Sequence, residues 1–338
     1  MTDLEAVRAG IEGFLRREWD EEVEVGELSP VSAGARRLNV LFDARRSGET
    51  LGLAVTVVPT AAIQIVSTEA EAANLRLAEA AGVPVPHVHA VCTDEAWVGG
   101  PFIVSSRVPG VSVARQILRL AADHDGLGAK VGFQLGEAMA RLHAADAEDA
   151  HPSLRRPEDG SPVRSGLAAL REQLDVLLQP SPTFALAYRW LERHRPPDPD
   201  RLVFVHGDFR HGNILVTADN GLEAVLDWEG CHLGDGMEDV AWMCQRMWRF
   251  RNDRLEVGGL ADRADLRAGY EAAGGTWDDH SFHWWKVYGA LRWGMGLAGQ
   301  SRQHLDRSFR SVIMAGSGRR CAEMEYDLLM LLRGSYEP

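Results

Sequence analysis

The stretch from Val203 to Asp239, VFVHGDFRHGNILVTADNGLEAVLDWEGCHLGDGMED, constrains this chain more than any other. A short apolar run, Leu202 to Val205, leads into His206 and then Gly207, where the backbone can turn sharply. Asp208 follows, and Asn213 comes five residues later. ILVT and EAVLDW flank a turn at Ala218-Asp219-Asn220-Gly221, whose Asn-Gly pair is a strong hairpin signal. The predicted hairpin carries Asp227, at the end of its second strand, back beside Asn213. Such spacing suits phosphoryl transfer. One carboxylate orients an attacking hydroxyl and receives its proton, while a second carboxylate and a side-chain amide hold Mg2+ against nucleotide phosphates. Asp208 fits the first role, and Asn213 lies within reach of a metal on the same loop.

HGDFRHGN, followed by LDWE and then GDGMEDVAW, resembles the catalytic region of the aminoglycoside phosphotransferase and choline kinase-like family, whose fold is similar to that of protein kinases. The wording is most similar to a subgroup typified by the kinase-like domain fused to acyl-CoA dehydrogenases. This resemblance implies an α+β, protein kinase-like fold of two lobes. Residues 1–108 would form a small N-lobe with an antiparallel sheet, and residues 109–338 a larger, mainly helical C-lobe. It implies Asp208 as catalytic base, His206 as a brace for the loop, and Asn213 and Asp227 as Mg2+ ligands. Asp235 and Asp239 would anchor the loop from the following helix. ATP or GTP would be the co-substrate, and a small hydroxylated molecule, aminoglycoside-like or hydroxyacyl, the acceptor.

Before the motif, Leu4 to Trp19 has the spacing of an amphipathic helix. From Pro30 to Pro59, β-rich runs broken at Ala33-Gly34 and Ser47-Gly48 predict three antiparallel strands. The resemblance makes the first turn, Ser32 to Arg37, the phosphate loop, with Ser32, Gly34, Arg36 and Arg37 as nucleotide-binding candidates. Thr68 to Ala81 is strongly helical and stopped by Gly82. Its Glu71 matches the family's helix glutamate, which positions the phosphate-binding base. Val88 to Cys92 and Pro101 to Ser106 predict two more strands, followed by a hinge at Arg107 to Gly110, where Ser106 and Val108 are candidates for contact with the base of the nucleotide.

Beyond the hinge, helices are predicted at Lys130 to Ala144, Ser165 to Leu178, Thr183 to Arg193, Asp239 to Phe250, Asp262 to Ala273, Ser281 to Gln300 and Arg307 to Leu332, with a loop at His151 to Pro162. Six of the ten tryptophans lie between Trp242 and Trp293, where the family builds its acceptor pocket. Tryptophan can stack on a sugar, line an acyl pocket or simply fill a core.

A length of 338 residues suits two sub-domains around a cleft, and an apolar fraction of 45% suits a folded globular chain. A cytoplasmic protein is expected, with no membrane partner, because no apolar run approaches a span and no signal sequence opens the chain. The four cysteines show no metal or disulfide spacing, so buried thiols are expected. A net charge of −13 argues against a nucleic-acid partner. It suits a cationic substrate, although acidity is more often an ordinary solubility device. A monomer or homodimer is expected.

One departure from the family pattern matters. Thr56 stands in LAVTVVP where the third strand normally presents a Lys or Arg to the α- and β-phosphates and to the helix glutamate. Either Arg36 or Arg37 reaches in from the loop, or the chain is a catalytically impaired binding protein. Another group-transfer chemistry on the same scaffold is the remaining alternative.

Overall fold

The computed structural model describes residues 3–31, 37–58, 66–177, 179–308 and 310–334. Ser32, Gly34 and Arg36 lie outside the described residues. The chain opens on helix α1 (Leu4–Trp19), capped by Asp3, whose carboxylate accepts the amides of Glu5 and Ala6. Strands β1 (Val23–Val25), β2 (Ser29–Pro30), β3 (Leu38–Arg46) and β4 (Glu49–Val57) precede helix α2 (Thr68–Ala80), and β5 (Val88–Cys92) and β6 (Phe102–Ser106) follow it. The sheet order is β1-β3-β4-β6-β5, with β2 also on β3, and every pairing is antiparallel.

Alternation along β3 and β4 buries Val40, Phe42, Leu53 and Val55 against Ile11, Phe14 and Leu15 of α1, forming one core. The residues of α2, among them Ala72, Leu75 and Ala78, belong to a second, larger core shared with the helices that follow. The three strands expected between Pro30 and Pro59 are β2, β3 and β4, but the first is only two residues long and lies at Ser29–Pro30.

That larger part comprises α3 (Ala114–Asp123), α4 (Leu127–Ala144), α5 (Pro162–Asp175), α6 (Pro182–Arg193), β7 (Val203–Val205), β8 (Ile214–Thr217), β9 (Gly221–Val225), β10 (His232–Gly234), α7 (Met237–Met243), α8 (Arg263–Ala272), α9 (Asp279–Leu305), α10 (Val312–Ser317) and α11 (Cys321–Leu332). Leu135, Met139 and Leu142 of α4 and Trp284, Val287 and Leu291 of α9 sit in its core. Helix α3 was not predicted from the sequence. Two predicted helices are broken. Asp239–Phe250 ends as α-helix at Met243 and resumes as a 3-10 turn at Arg246–Trp248, because Gln245 is extended at φ −66°, ψ 141°, and Phe250 and Arg251, at φ of 49° and 75°, stop it there. Arg307–Leu332 divides into α10 and α11 around a 3-10 turn at Gly318–Arg320. Ser311 restarts the helix by accepting the amide of Met314, and Gly316 and Gly318 weaken its continuation. Among the described residues, no helix is long and apolar enough to cross a membrane. Cys92, Cys231 and Cys244 are buried free thiols, and burial pushes Cys244 up to about 12.

Candidate active site

The loop between β7 and β8 is held from inside the larger core. Asp239, fully buried on α7, accepts the amides of His206 and Gly207 at 2.8 Å each. Behind it stands His143 of α4, with Nε2 3.3 Å from Asp239 and Nδ1 2.9 Å from the Tyr270 hydroxyl. Burial alone would push the Asp239 carboxyl up, but His143 and the loop hold it below the usual carboxylate range. Asp235 does not share this task. It lies before α7 and accepts Ser281 Oγ at 2.6 Å, Trp285 Nε1 at 2.8 Å and the Met237 amide at 2.9 Å. Its role is to join the start of α7 to α9, so the expected anchoring by Asp235 is corrected. His206 is buried, with Nε2 3.0 Å from the Leu226 carbonyl and Nδ1 accepting the Asp208 amide at 3.2 Å. It braces the loop against the hairpin.

Asp208 emerges from this frame half-buried. Its Oδ1 accepts Trp242 Nε1 at 2.8 Å, its Oδ2 accepts Asn213 Nδ2 at 2.7 Å, and Arg210 Nε lies 2.9 and 3.1 Å from the two oxygens. The amide group of Asn213 is thereby oriented, because its nitrogen faces Asp208. In the β8–β9 hairpin, Ile214 pairs with Val225, and the Leu226 amide donates to the Asn213 carbonyl at 2.8 Å. Asp227 follows at φ 65°, ψ 69°, a left-handed conformation uncommon outside glycine. Burial, then Glu229, pushes its carboxyl up, against the pull of Arg37. An amide oxygen and a carboxylate suit a hard cation that takes its remaining ligands from phosphate and water. Among the described residues, no group of three or more His, Cys, Asp or Glu forms a closed metal cage.

In place of a cation on the third strand, an arginine immediately before the neighbouring strand reaches the helix glutamate. Thr56 donates its hydroxyl to Asn39 Oδ1 at 2.8 Å, directly across the β3–β4 ladder. Two residues before Asn39, Arg37 places Nη1 2.8 Å from Glu71 of α2 and Nη2 2.5 Å from Glu229. Burial is the largest influence on Glu71 and pushes its carboxyl up, while Arg37 draws it down. A second tie runs from Asn74 Nδ2 to the Trp228 carbonyl at 3.2 Å. Ser106 ends β6, with its amide on the His87 carbonyl at 2.9 Å and its hydroxyl 2.8 Å from His89 Nε2. Val108 follows on the segment leading to the Val111–Val216 bridge.

The tryptophans divide into two groups. Trp277, Trp284 and Trp285 are buried in the core. Trp242, Trp248 and Trp293 pack on one another with centroids 5.3 to 6.0 Å apart, beside Asp208. Arg210 lies over Trp248 at 4.9 Å and Arg292 over Trp242 at 4.4 Å. Within the described residues, Trp248 Nε1 and Trp293 Nε1 are buried without an acceptor. Reading the sequence missed Arg210, Glu229, Trp242 and Arg292 as members of the site. Three of them stood inside the quoted motifs: Arg210 in HGDFRHGN, Glu229 in LDWE and Trp242 in GDGMEDVAW.

Mouse acyl-CoA dehydrogenase family member 10 is 29% identical over 166 residues, which are 48% of this chain and 15% of that protein. The chain therefore spans a small part of the length of that relative. Among solved structures, a Ralstonia eutropha JMP134 protein assigned as an aminoglycoside phosphotransferase matches with a TM-score of 0.72 at 22% identity, over 99% of each chain. A thermostable mutant of aminoglycoside phosphotransferase APH(4)-Ia, in ternary complex with AMP-PNP and hygromycin B, matches at 0.60 and 19% identity, over 94% of this chain and 98% of that one. These likenesses establish the kinase-like fold. The sequence pattern of the phosphotransferase enzyme family matches residues 27–284, and this chain belongs to that family.

Proposed function

We propose that this phosphotransferase is a Mg2+-dependent small-molecule kinase that moves the γ-phosphoryl group of ATP or GTP to an alcohol hydroxyl. Asp208 receives the hydroxyl proton as the alcohol oxygen attacks phosphorus, and the bridging oxygen leaves with the nucleoside diphosphate. Asn213 and Asp227 would hold the ion, whose charge offsets that of the phosphates. Arg37 would meet the phosphates, Ser106 and Val108 would contact the base, and Ser32, Gly34 and Arg36, outside the described residues, are proposed for the phosphates from the sequence alone.

One observation carries this reading over that of an impaired binding protein: Arg37 pairs with Glu71 although Thr56 has replaced the strand cation. A charge-assisted contact contributes roughly 1.5 to 3 kcal/mol, and a chain that had abandoned nucleotide would have no physical need to rebuild it. Calorimetry with Mg2+ and AMP-PNP tests the point. Arg37→Ala should weaken binding about tenfold or more, equivalent to roughly 1.4 kcal/mol, whereas Thr56→Lys, adding a second cation to an occupied space, should change it only modestly. Wild-type affinity in Arg37→Ala, or no binding at millimolar nucleotide in the wild type, sinks the reading.

Of the two acceptor classes, the tryptophan wall favours the hydroxyacyl one. Both guanidinium groups there are already paired with carboxylates, Arg210 with Asp208 and Arg292 with Glu238, so the preference rests on the indoles, whose faces suit an apolar body. A thermal-shift panel of hydroxy acids and aminoglycosides, run with Mg2+ and AMP-PNP, separates them. Stabilisation by aminoglycosides alone would reverse this preference.

A further inference from the structure

Arg292 of α9 joins Trp242 beside Asp208, the turn before Asp208 and Glu238 at the start of α7. Its Nη1 lies 3.1 Å from Glu238 Oε1, and its Nη2 donates to the Gly207 carbonyl at 3.2 Å. The guanidinium lies over the ring of Trp242, 4.4 Å from the centroid. Trp242 in turn donates its indole N–H to Asp208 Oδ1 at 2.8 Å. The other oxygen of Glu238 is 3.1 Å from His232 Nε2. One planar fork thus fixes both the peptide carbonyl immediately before Asp208 and the ring that holds the Asp208 carboxylate. An ammonium could neutralise Glu238, but a single point charge cannot keep two acceptors and a ring face in register.

We propose that Arg292 is a positioning residue for phosphoryl transfer, setting the orientation of Asp208 through Trp242 and the Gly207 carbonyl. The proposal rests on Asp208 being the base. It predicts a loss in turnover with little change in nucleotide binding, because among the described residues Arg292 shares no hydrogen bond or ion pair with the nucleotide-side candidates Arg37, Asn213 and Asp227.

The indole N–H resonance of Trp242 in a 15N–1H spectrum of the full chain reads this directly, identified as the cross-peak lost in W242F. In R292K, which keeps the charge and loses the fork, it should move toward the position it takes in D208N, where the carboxylate acceptor is weakened. Mg·ATP hydrolysis, with water as the acceptor, should fall by about tenfold in kcat at unchanged KM for ATP. Adding R292K to W242F should cause little further loss, because both changes break one chain of contacts. If a thermal melt shows R292K unfolded, E238Q removes the other partner of the fork and should shift the same resonance. A Trp242 resonance unmoved in the folded variant, or equal losses from R292K in the wild-type and W242F backgrounds, overturns the proposal. Wild-type hydrolysis by D208N instead overturns the assignment of the base, and the Trp242 shift tells the two failures apart.

Discussion

Asp208 accepts from an indole, an amide and a guanidinium, the last two from its own loop and the first from α7. Asp208→Asn keeps the shape but cannot take up a proton at the same site. Its kcat should fall on the order of 10²- to 10⁴-fold with nucleotide affinity and melting temperature nearly unchanged, and a wild-type kcat would contradict the assignment. The pair His232–Glu238 adds a pH signature. Burial would lower His232, but Glu238 outweighs it and raises the imidazole above its ordinary 6.5. The same contact and Arg292 hold Glu238 below its ordinary 4.5 despite burial. The His232 contribution to stability is therefore complete below pH 6.5 and is lost as pH rises through the raised value. The Glu238 contribution is complete above 4.5 and is lost as pH falls through the lowered one. Denaturant melts of His232→Gln should lack the wild-type decline above pH 6.5, whereas parallel pH curves would exclude the coupling. Asp208, Asn213 and Asp227 were legible because their spacing within one segment encodes their meeting. Arg292 was not, since it reaches Gly207 across 85 residues of sequence.

The hairpin was readable because its turn chemistry is local, with Asn220-Gly221 ending the turn between β8 and β9. Helix α7 was not, because its apolar pattern continues past Met243 while the backbone leaves the helix to bring Trp248 against Trp242 and Trp293. Tertiary packing there outweighs propensity. Gly207 shows the reverse case, where local geometry leaves little choice. It sits at φ 83°, and a Cβ would lie 2.7 Å from the Gly230 carbonyl oxygen. Gly207→Ala should cost about 1 to 3 kcal/mol of stability and displace the turn on which Asp208 stands, so urea melts and turnover should fall together. Unchanged stability would mean that the Gly230 segment yields readily.

Two hydrophobic cores divide the chain, one between α1 and the sheet and the other among the later helices, and α2 belongs to the second although the strands around it build the first. The resemblance to kinase-like enzymes anticipated two lobes but not how they are tied. The sequence could not supply that, because two of the ties join residues more than 150 positions apart: Asn74 to the Trp228 carbonyl, and Arg37 to Glu229. Both ties end on the segment following Asp227, so whatever orders α2 also orders the metal-side loop. Removing them together in Asn74→Leu/Glu229→Gln leaves both cores filled. The two lost polar contacts amount to roughly 1 to 3 kcal/mol, released locally rather than globally. Hydrogen-exchange mass spectrometry should therefore show faster exchange in α2 and residues 226–230, with α4 and α9 unchanged, and Mg·AMP-PNP should restore the protection. Exchange that accelerates uniformly would mean that the lobes unfold as one unit, and exchange that does not change would mean that apolar packing of α2 alone holds the two halves together.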